Sequence, residues 1–243
     1  MFFLKRKEII LDCFTNNKSA YDFSQIKPSL NYYPNWFYTM KNKIDFETHE
    51  MATLKKCEAF LNYYRNGFIM PMWTDLGIYI ENMKCKYIFA DHISTAQNHN
   101  SEQWREFINP MEYGHLKIMS PWHIKCKKEI NFMFKRPYWN YHPFDADINI
   151  VEGILNFKYQ HSSHINLFLK INQQKKLSIK FGDPLIYLLP LTDYNVKIKS
   201  HLISDKEFFE LNTDLTFINN YRIKKKILKE KEKKCPFNFG DKS

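Results

Sequence analysis

The sequence predicts an α+β protein with a mainly antiparallel C-terminal half and an N-terminal helix and hairpin addition. Seven short apolar runs, separated by turn signals, follow one another within residues 115–192. One stretch with helical spacing and two extended runs on either side of residues 81–83 precede them. Strands at such short intervals are typical of an antiparallel sandwich or barrel, and not of alternating strands and helices.

Composition indicates a globular chain. Of its 243 residues, 44% are hydrophobic, and 21 Phe, 15 Tyr and 5 Trp can fill a core. Only six glycines are present, which argues against a glycine-rich phosphate loop. No apolar run reaches the roughly 18 residues of a membrane-spanning helix, and Lys5, Arg6 and Lys7 interrupt the start where a signal peptide needs its apolar run. We expect a cytoplasmic protein, in the host cytoplasm if the chain is viral, with no membrane contact.

The five cysteines are odd in number, widely scattered and without a CxxC pair. This usage is typical of reduced thiols and not of a disulfide framework or a structural zinc site. The sequence predicts no metal and no cofactor.

The basic charge is concentrated near the C-terminus. The net charge is +10, and residues 222–234 hold eight basic residues and two glutamates, which leaves +4 for the rest of the chain. A body so close to balance argues against a nucleic-acid-binding protein. We interpret the basic segment as a solvated helix face.

Residues 1–114 are predicted to form a helical and hairpin segment packed on the core. Residues 1 to about 50 show no clean period, whereas residues 51–64 repeat apolar side chains at three- and four-residue spacing, which predicts a helix ending at Asn66-Gly67. FIMPMWTDLGIYI and KCKYIFA then predict a hairpin around ENM. Residues 91–114 are polar and predict a long loop with a short helix near Trp104.

Residues 115–203 are predicted to form the antiparallel domain, and residues 204–243 a C-terminal helix and basic tail. Ser204 and Glu207 match a capping box ahead of an apolar helix start. The seven predicted strands are HLKIMS, WHIKC, INFMFK, INIVEGIL, HINLFLKI, LSIKF and LIYLLPL.

The order PWHIKCKKEINFMFKRP, VEGILNFKY, INLFLKIN, LSIKFGDPLIYLLPL resembles the core of the dUTPase and dCTP deaminase superfamily, whose fold is a β-clip. The resemblance implies that Gly153 and Tyr159 stand at the two ends of the superfamily's catalytic segment, and that Gly182-Asp183 matches its downstream turn. We expect both Gly153 and Gly182 to lie in turns beside the strands. It also implies that the two acidic places of that segment hold Asn156 and Lys158. The superfamily is often trimeric, so the resemblance allows a homo-oligomer, although its glycine-rich C-terminal motif has no counterpart.

A second resemblance covers most of the chain. CEAFLNYYRNGFIMPMWTD, MSPWHIKCKKEINFMFKRP, VEGILNF and SIKFGDPLIYLLPLTD are similar to segments of an uncharacterised family found in bacteria and tailed bacteriophages. The similarity implies a phage-encoded or bacterial protein and carries no known activity.

Asn156 and Lys158 lead us to favour a non-catalytic binding or accessory protein on a dUTPase-like scaffold that lacks its catalytic carboxylate. An asparagine amide cannot accept the proton of an attacking water, and a lysine would repel a catalytic magnesium ion. One alternative is a nucleotide-processing enzyme with relocated groups, for which Glu152, Asp75 and Asp183 are the candidates. The other alternative is a structural or host-interaction protein.

A ligand pocket is predicted from residues that stack on or pair with a nucleotide-like ligand, since aromatic faces and guanidinium planes suit that task. In a chain with 17% aromatic residues the same side chains also fill the core. A protein partner is the other expectation. The candidate pocket residues are Trp73, Trp122, Arg136, Asn156, Lys158 and Tyr159.

Histidines offer weaker candidates. His161 and His164 precede a predicted strand, where side chains three residues apart diverge, so we interpret them as a loop pair and not as metal ligands. Cys126 as a nucleophile needs a histidine on its own side, and His123 should face the other way on the same strand. His142 with Asp145 and Asp147 is interpreted as a turn.

Overall fold

A computed structural model describes residues 8–140, 146–213, 222–223, 225–227 and 229–230. The predicted α+β class is confirmed, and the sheets are mostly antiparallel. No helix of the described residues is long and apolar enough to cross a membrane.

The helices within the described residues are short, and four of them are α-helices. They are α1 (Lys18–Phe23), α2 (Asn35–Thr39), α3 (Glu58–Asn66) and α4 (Asp205–Thr213). Three single turns of 3₁₀ helix lie at Ser29–Tyr32, Leu54–Lys56 and Ser101–Gln103. Residues 222–223, 225–227 and 229–230 are also helical.

Seventeen strands lie within the described ranges. In chain order they are β1 (Glu8–Thr15), β2 (Lys27–Pro28), β3 (Lys43–Phe46), β4 (His49–Ala52), β5 (Phe68–Pro71), β6 (Leu76–Glu81), β7 (Lys84–Phe89), β8 (Ala96–Asn98), β9 (Tyr113–Ile118), β10 (His123–Cys126), β11 (Asn131–Lys135), β12 (Ile148–Ile150), β13 (Gly153–Asn156), β14 (Ile165–Lys170), β15 (Lys175–Ile179), β16 (Pro184–Pro190) and β17 (Asn195–Leu202).

The strands form four larger sheets and one separate hairpin. A three-stranded sheet has the order β10-β1-β17, and we call it the terminal sheet. The five-stranded sheet has the order β13-β11-β16-β5-β2, and the four-stranded sheet has the order β12-β14-β9-β8. A third order, β15-β6-β7, makes another three-stranded sheet, and β3 pairs with β4 alone. Each of these sheets except the β3–β4 hairpin combines strands from before and after residue 115.

Strand β1 was not expected, because residues 1 to about 50 show no clean period. It nevertheless alternates, with Ile9, Leu11 and Cys13 buried and the residues between them facing outward. Antiparallel pairing with β10 and an eight-residue parallel pairing with β17 place it in the centre of the terminal sheet. Strand β17 was also missed by the sequence analysis.

All seven strands predicted within residues 115–192 are present, and their pairing is antiparallel. The run INIVEGIL forms two strands and not one. Strand β12 pairs with β14 in the four-stranded sheet, and β13 pairs with β11 in the five-stranded sheet. The chain therefore passes from one sheet to the next at Val151 and Glu152.

The two glycines of the resemblance differ in what they do. Gly182 lies in the turn between β15 and β16 with φ of +83°, a conformation that favours glycine, as predicted. The prediction that Gly153 lies in a turn is wrong. Gly153 begins β13 opposite Phe134, and a Cβ added to it would meet no atom within 4 Å.

The predicted helix over residues 51–64 is only half correct. Met51 belongs to β4, where it pairs with Ile44, and α3 begins at Glu58. Cross-strand pairing of the β3–β4 hairpin outweighs the helical spacing here, since propensity yields to such contacts. Phe60 and Tyr64 of α3 are buried, and the helix ends before Gly67 as expected.

The predicted hairpin around ENM forms as β6 and β7. Asn82 and Met83 both have positive φ, 49° and 58°, which is the pattern of a tight two-residue hairpin turn. The preceding Phe68–Pro71 is a separate strand in the five-stranded sheet. In the predicted polar loop, β8 pairs with β9, and Trp104 lies in a turn after the 3₁₀ helix.

The predicted capping box at the start of α4 is confirmed. The Ser204 hydroxyl accepts a hydrogen bond from the Glu207 N–H at 3.3 Å, and the Glu207 carboxylate accepts from the Ser204 N–H at 2.9 Å. Asn16, just after β1, donates to the Asp205 carboxylate at 2.8 Å. The helix is thereby attached to the end of the terminal sheet.

One connected core joins buried side chains of the four larger sheets. Leu11, Met70 and Ile78 from the first half pack in the same cluster as Leu116 and Leu188 from the second half. The two halves of the chain therefore share apolar burial, which is the main favourable term in folding.

At Gly67 the core has no room for a side chain. A Cβ there would lie 2.1 Å from the ring of Tyr187, whose hydroxyl donates to the Tyr63 carbonyl at 2.5 Å. The Tyr63 and Tyr187 rings are stacked with their centroids 3.9 Å apart, so the Tyr187 ring also packs against Tyr63.

We predict that Gly67→Ala lowers the free energy of unfolding by about 1–3 kcal/mol, the usual cost of overpacking. Gly153→Ala is the matched control and should change it by less than about 0.5 kcal/mol, because its Cβ enters open space. Urea denaturation of the two variants and the wild type measures the difference. Equal effects of the two substitutions would contradict the packing described for Tyr187.

Candidate functional site

Residues 156–159 form a tight turn after β13. The Asn156 carbonyl accepts hydrogen bonds from the Tyr159 and Gln160 N–H groups at 3.1 and 3.0 Å. Its side-chain Oδ1 accepts from the Lys158 N–H at 3.2 Å, and its Nδ2 donates to Asn131 Oδ1 at 3.0 Å. Asn156 is buried, and the bond to Asn131 needs a donor that an ionised aspartate lacks. Asn156 therefore stabilises the turn and the β11–β13 pairing.

Tyr159 is fully buried and connects this turn to a carboxylate outside it. Its hydroxyl donates to Glu129 Oε2 at 2.8 Å. Glu129 Oε1 also lies 3.2 Å from Lys225 Nζ and 3.4 Å from Lys229 Nζ, so one carboxylate contacts two lysines of the C-terminal helical segment. The Lys225 and Lys158 ammonium groups lie 5.3 and 5.7 Å from the centre of the Tyr159 ring.

This cluster keeps Glu129 ionised. Partial burial acts to raise its pKa, but the hydrogen bonds from Tyr159 and Lys225 and the charge of Lys229 outweigh burial and lower the pKa. The basic segment is thus not only a solvated face, since two of its lysines contact the body of the protein.

The remaining pocket candidates lie elsewhere. Trp73 is buried in the core, and its indole N–H donates to the Ser94 hydroxyl at 2.9 Å. Trp122 is fully buried in the same core. Arg136 is half-buried just after β11. The structure therefore brings Asn156, Lys158 and Tyr159 together in one turn and places both tryptophans in the interior.

Two of the three candidate acids stabilise one turn. Asp75 accepts the Phe181 N–H at 2.8 Å and contacts Lys180 Nζ at 3.0 Å, while Asp183 accepts the Lys180 N–H at 2.8 Å. The bonds from Phe181 and Lys180 lower the pKa of Asp75. An acid that is already ionised and bound in this way is a poor proton acceptor near neutral pH.

Glu152, the third acid, is exposed between β12 and β13. The pKa of the Tyr63 phenol is raised chiefly by burial, and the charge of Glu152 adds to the rise, which places Glu152 near Tyr63. Asp75 and Asp183 share a turn, and no hydrogen bond given for the described residues joins Glu152 to it.

The histidine pair lies in the loop before β14, as predicted, with His161 buried and His164 half-buried. His161 donates from Nδ1 to the Ile124 carbonyl at 3.2 Å. His123 faces Phe208 of α4, with ring centroids 4.4 Å apart. Among the described residues, no group of three or more His, Cys, Asp or Glu side chains is arranged to hold a metal ion.

Burial gives two of these histidines low pKa values. It lowers the pKa of His123 to about 4, with a smaller effect from His161, and it lowers the pKa of His164 to about 4, with smaller effects from Lys117 and His123. Burial also raises the pKa of the Cys126 thiol. His142 and Asp145 lie outside the described residues.

A cleft that the sequence analysis missed has a volume of about 850 Å³. It opens where the first residues of β1 and β17 meet the end of α3 and one end of the five-stranded sheet. Its charged and polar lining residues are Glu8, Arg65, Asn66, Tyr194, Asn195 and Lys197, and its other lining residues are Pro28, Gly67, Phe68, Pro190 and Val196. No motif marks the cleft, because its walls come from four distant parts of the chain.

Two cations face the cleft with room to contact a ligand. Lys197 pairs with Glu8 at 2.6 Å, and Arg65 lies 3.7 Å from Glu58, yet both cationic side chains are more than half exposed. Two carbonyls at and just after the end of α3 are already bonded, since the Ser29 hydroxyl donates to the Tyr64 carbonyl at 2.7 Å and the Ser29 N–H donates to the Gly67 carbonyl at 2.9 Å. The negative end of the helix is therefore partly neutralised on this side.

No family model, curated protein or solved structure matches this chain. The fold and the cleft define an α+β protein with mostly antiparallel sheets and a mixed-charge surface cleft.

We predict that lowering the pH from 7 to 5 lowers the free energy of unfolding by roughly 2–4 kcal/mol, through His123 and His164. The folded pKa values, about 4, lie below the unfolded value, so the contribution is complete above the unfolded pKa and falls as the pH drops toward 4. His123→Phe should remove about half of this pH dependence, whereas the exposed control His49→Gln should leave it unchanged. Denaturant titrations at several pH values measure it, and an identical pH dependence in His123→Phe would contradict it.

We predict that Glu129→Gln speeds amide exchange at residues 222–230 about two- to fivefold, since exposed ion pairs contribute up to about 1 kcal/mol. Because the pKa of Glu129 is lowered, docking should be complete at neutral pH and weaken only as the pH falls through that pKa. Hydrogen–deuterium exchange by mass spectrometry measures it. Glu102→Gln, which breaks an exposed ion pair with Arg105, is the control. Unchanged exchange in Glu129→Gln would rule out the carboxylate as the docking contact.

Proposed function

We propose that this chain is a non-catalytic binding protein that holds a small nucleotide-like ligand in the cleft. The observation that carries the proposal is the combination of Arg65 and Lys197 with the half-exposed ring of Tyr194 around one cavity of suitable size. Small-molecule sites typically enclose about 300–1,000 Å³ and hold a few polar groups that orient the ligand.

Each kind of group in the cleft suits one part of a nucleotide. Arg65 and Lys197 supply charge-assisted hydrogen bonds for phosphate oxygens. The ring of Tyr194 supplies a stacking face for a base. Asn66 and Asn195 carry amides that can donate to and accept from the edge of a base.

The non-catalytic part of the proposal is supported by the roles of the candidate acids. Asp75 and Asp183 bond the backbone of the turn between β15 and β16, and Asn156 bonds the backbone of its own turn. Glu8, which lines the cleft, is paired with Lys197. The proposed dUTPase-like ancestry and a bacterial or phage origin fit the motif order and the antiparallel pairing of residues 115–192.

We predict that calorimetric titration with dUTP and dCTP shows binding that Arg65→Gln or Lys197→Gln weakens at least tenfold, because a charged hydrogen bond contributes about 1.5–3 kcal/mol. Lys84→Gln, on the β6–β7 hairpin, is the matched control and should bind normally. With magnesium present, release of pyrophosphate or ammonia should stay at background.

Two outcomes would reject this function. Turnover that Glu152→Gln abolishes would establish the alternative of a nucleotide-processing enzyme with relocated groups. Absence of any nucleotide binding would remove the ligand, and the structural or host-interaction alternative would replace it.

A further inference from the structure

Two basic segments that are far apart in sequence lie side by side in the structure. One is the turn between β10 and β11, which contains Lys127 and Lys128 next to Glu129. The other is the C-terminal helical segment, residues 222–223, 225–227 and 229–230, whose Lys225 and Lys229 contact the same Glu129. The sequence gives the net charges of the tail and of the rest of the chain separately, and it does not show the contact with Glu129 that brings them together.

The resulting basic surface consists of seven cationic side chains around two acidic ones. Lys158 belongs to it because its ammonium group lies over the Tyr159 ring, and the Tyr159 hydroxyl bonds Glu129. Among described residues, the full set is Lys127, Lys128, Lys158, Arg222, Lys225, Lys226 and Lys229, with Glu129 and Glu230.

Most of this charge faces solvent. Lys158 and Lys225 are half-buried, and the other five cationic residues are exposed. One carboxylate at the centre neutralises part of the charge and leaves an excess that attracts anions. Such a one-signed surface binds a polyanion by direct pairing and by release of condensed counterions.

The rings at this surface distinguish between polyanions. Tyr159 is fully buried, and the ammonium groups of Lys158 and Lys225 lie over it, so it offers no face on which an unpaired base can stack. Binding of single strands depends on such stacking platforms. A duplex needs none, and it presents one phosphate charge per about 1.7 Å of its axis.

We propose that the basic surface binds the phosphate backbone of duplex nucleic acid without reading its sequence. The contacts are lysine and arginine side chains to phosphate oxygens, which fix position and carry no sequence information. Glu129 organises the surface by holding the helical segment against the β10–β11 turn. The surface shares no residue with the lining of the cleft, so the two proposals are tested with different variants.

Fluorescence anisotropy with a labelled mixed-sequence DNA duplex of about 20 base pairs tests this at salt concentrations between about 50 and 200 mM. With about five phosphate contacts, affinity should fall about 10³-fold over this range. Lys127→Gln with Lys128→Gln should lower the slope of log affinity against log salt by about 2, and so should Lys225→Gln with Lys229→Gln. Lys84→Gln with Lys86→Gln, on the β6–β7 hairpin, is the matched control and should leave the slope unchanged.

Several results would overturn the proposal. No duplex binding at about 50 mM salt would reject it, and binding of polyglutamate without duplex binding would assign the surface to an acidic protein. If the Lys225 and Lys229 variant lost binding while the Lys127 and Lys128 variant bound normally, the tail would act without the turn. Tighter binding of the single strand than of the duplex would point to base stacking.

Discussion

The parallel pairing of β1 with β17 holds residues 8–15 beside residues 195–202 over eight consecutive pairs. Strand β10 covers the other edge of β1, so the two ends of the chain and its middle meet in one sheet. On the outward face of this sheet the Phe14 and His201 rings stack with their centroids 4.7 Å apart. Helix α4 follows directly, and its Phe208 packs on His123. The cleft also depends on this pairing, because its charged wall is the start of these two strands.

Buried polar side chains in this protein mostly satisfy backbone groups. Ser29 bonds the Tyr64 carbonyl near the end of α3, Asn156 bonds the N–H of Lys158, and Asn17 bonds the N–H of Ala20. A backbone donor or acceptor left unpaired in the interior is costly, so these bonds stabilise turns where no strand partner is available. Polar residues of the types used in catalysis therefore stabilise turns in this protein.

Charge in this protein follows the same logic at the surface. Glu129 lies at the one point where a basic turn, a basic helical segment and a buried tyrosine meet, and it contacts the last two directly. The sequence of the lysine-rich tail does not reveal this role of Glu129, because the contact forms only in the folded protein. A single carboxylate thus converts a solvated charge run into a defined surface.

The sequence by itself determined the local structure. Short apolar runs separated by turn signals predicted all seven strands within residues 115–192, and the Ser204–Glu207 capping box predicted the start of α4. The two extended runs around ENM predicted the β6–β7 hairpin, whose turn residues have positive φ. These features depend on neighbours a few residues apart, whose spacing is visible in the chain. Of the candidate site residues, the sequence grouped Asn156, Lys158 and Tyr159, which the structure places in one turn.

Only the tertiary structure decided which distant segments meet. It placed β1 between β10 and β17, divided INIVEGIL between two sheets, and placed Met51, the start of the predicted helix, in the β3–β4 hairpin. It also joined Arg65, Tyr194 and Lys197 around a cleft and Lys225 to Glu129. Each of these outcomes depends on burial and pairing between residues far apart in sequence, and no local pattern in a single chain carries that information.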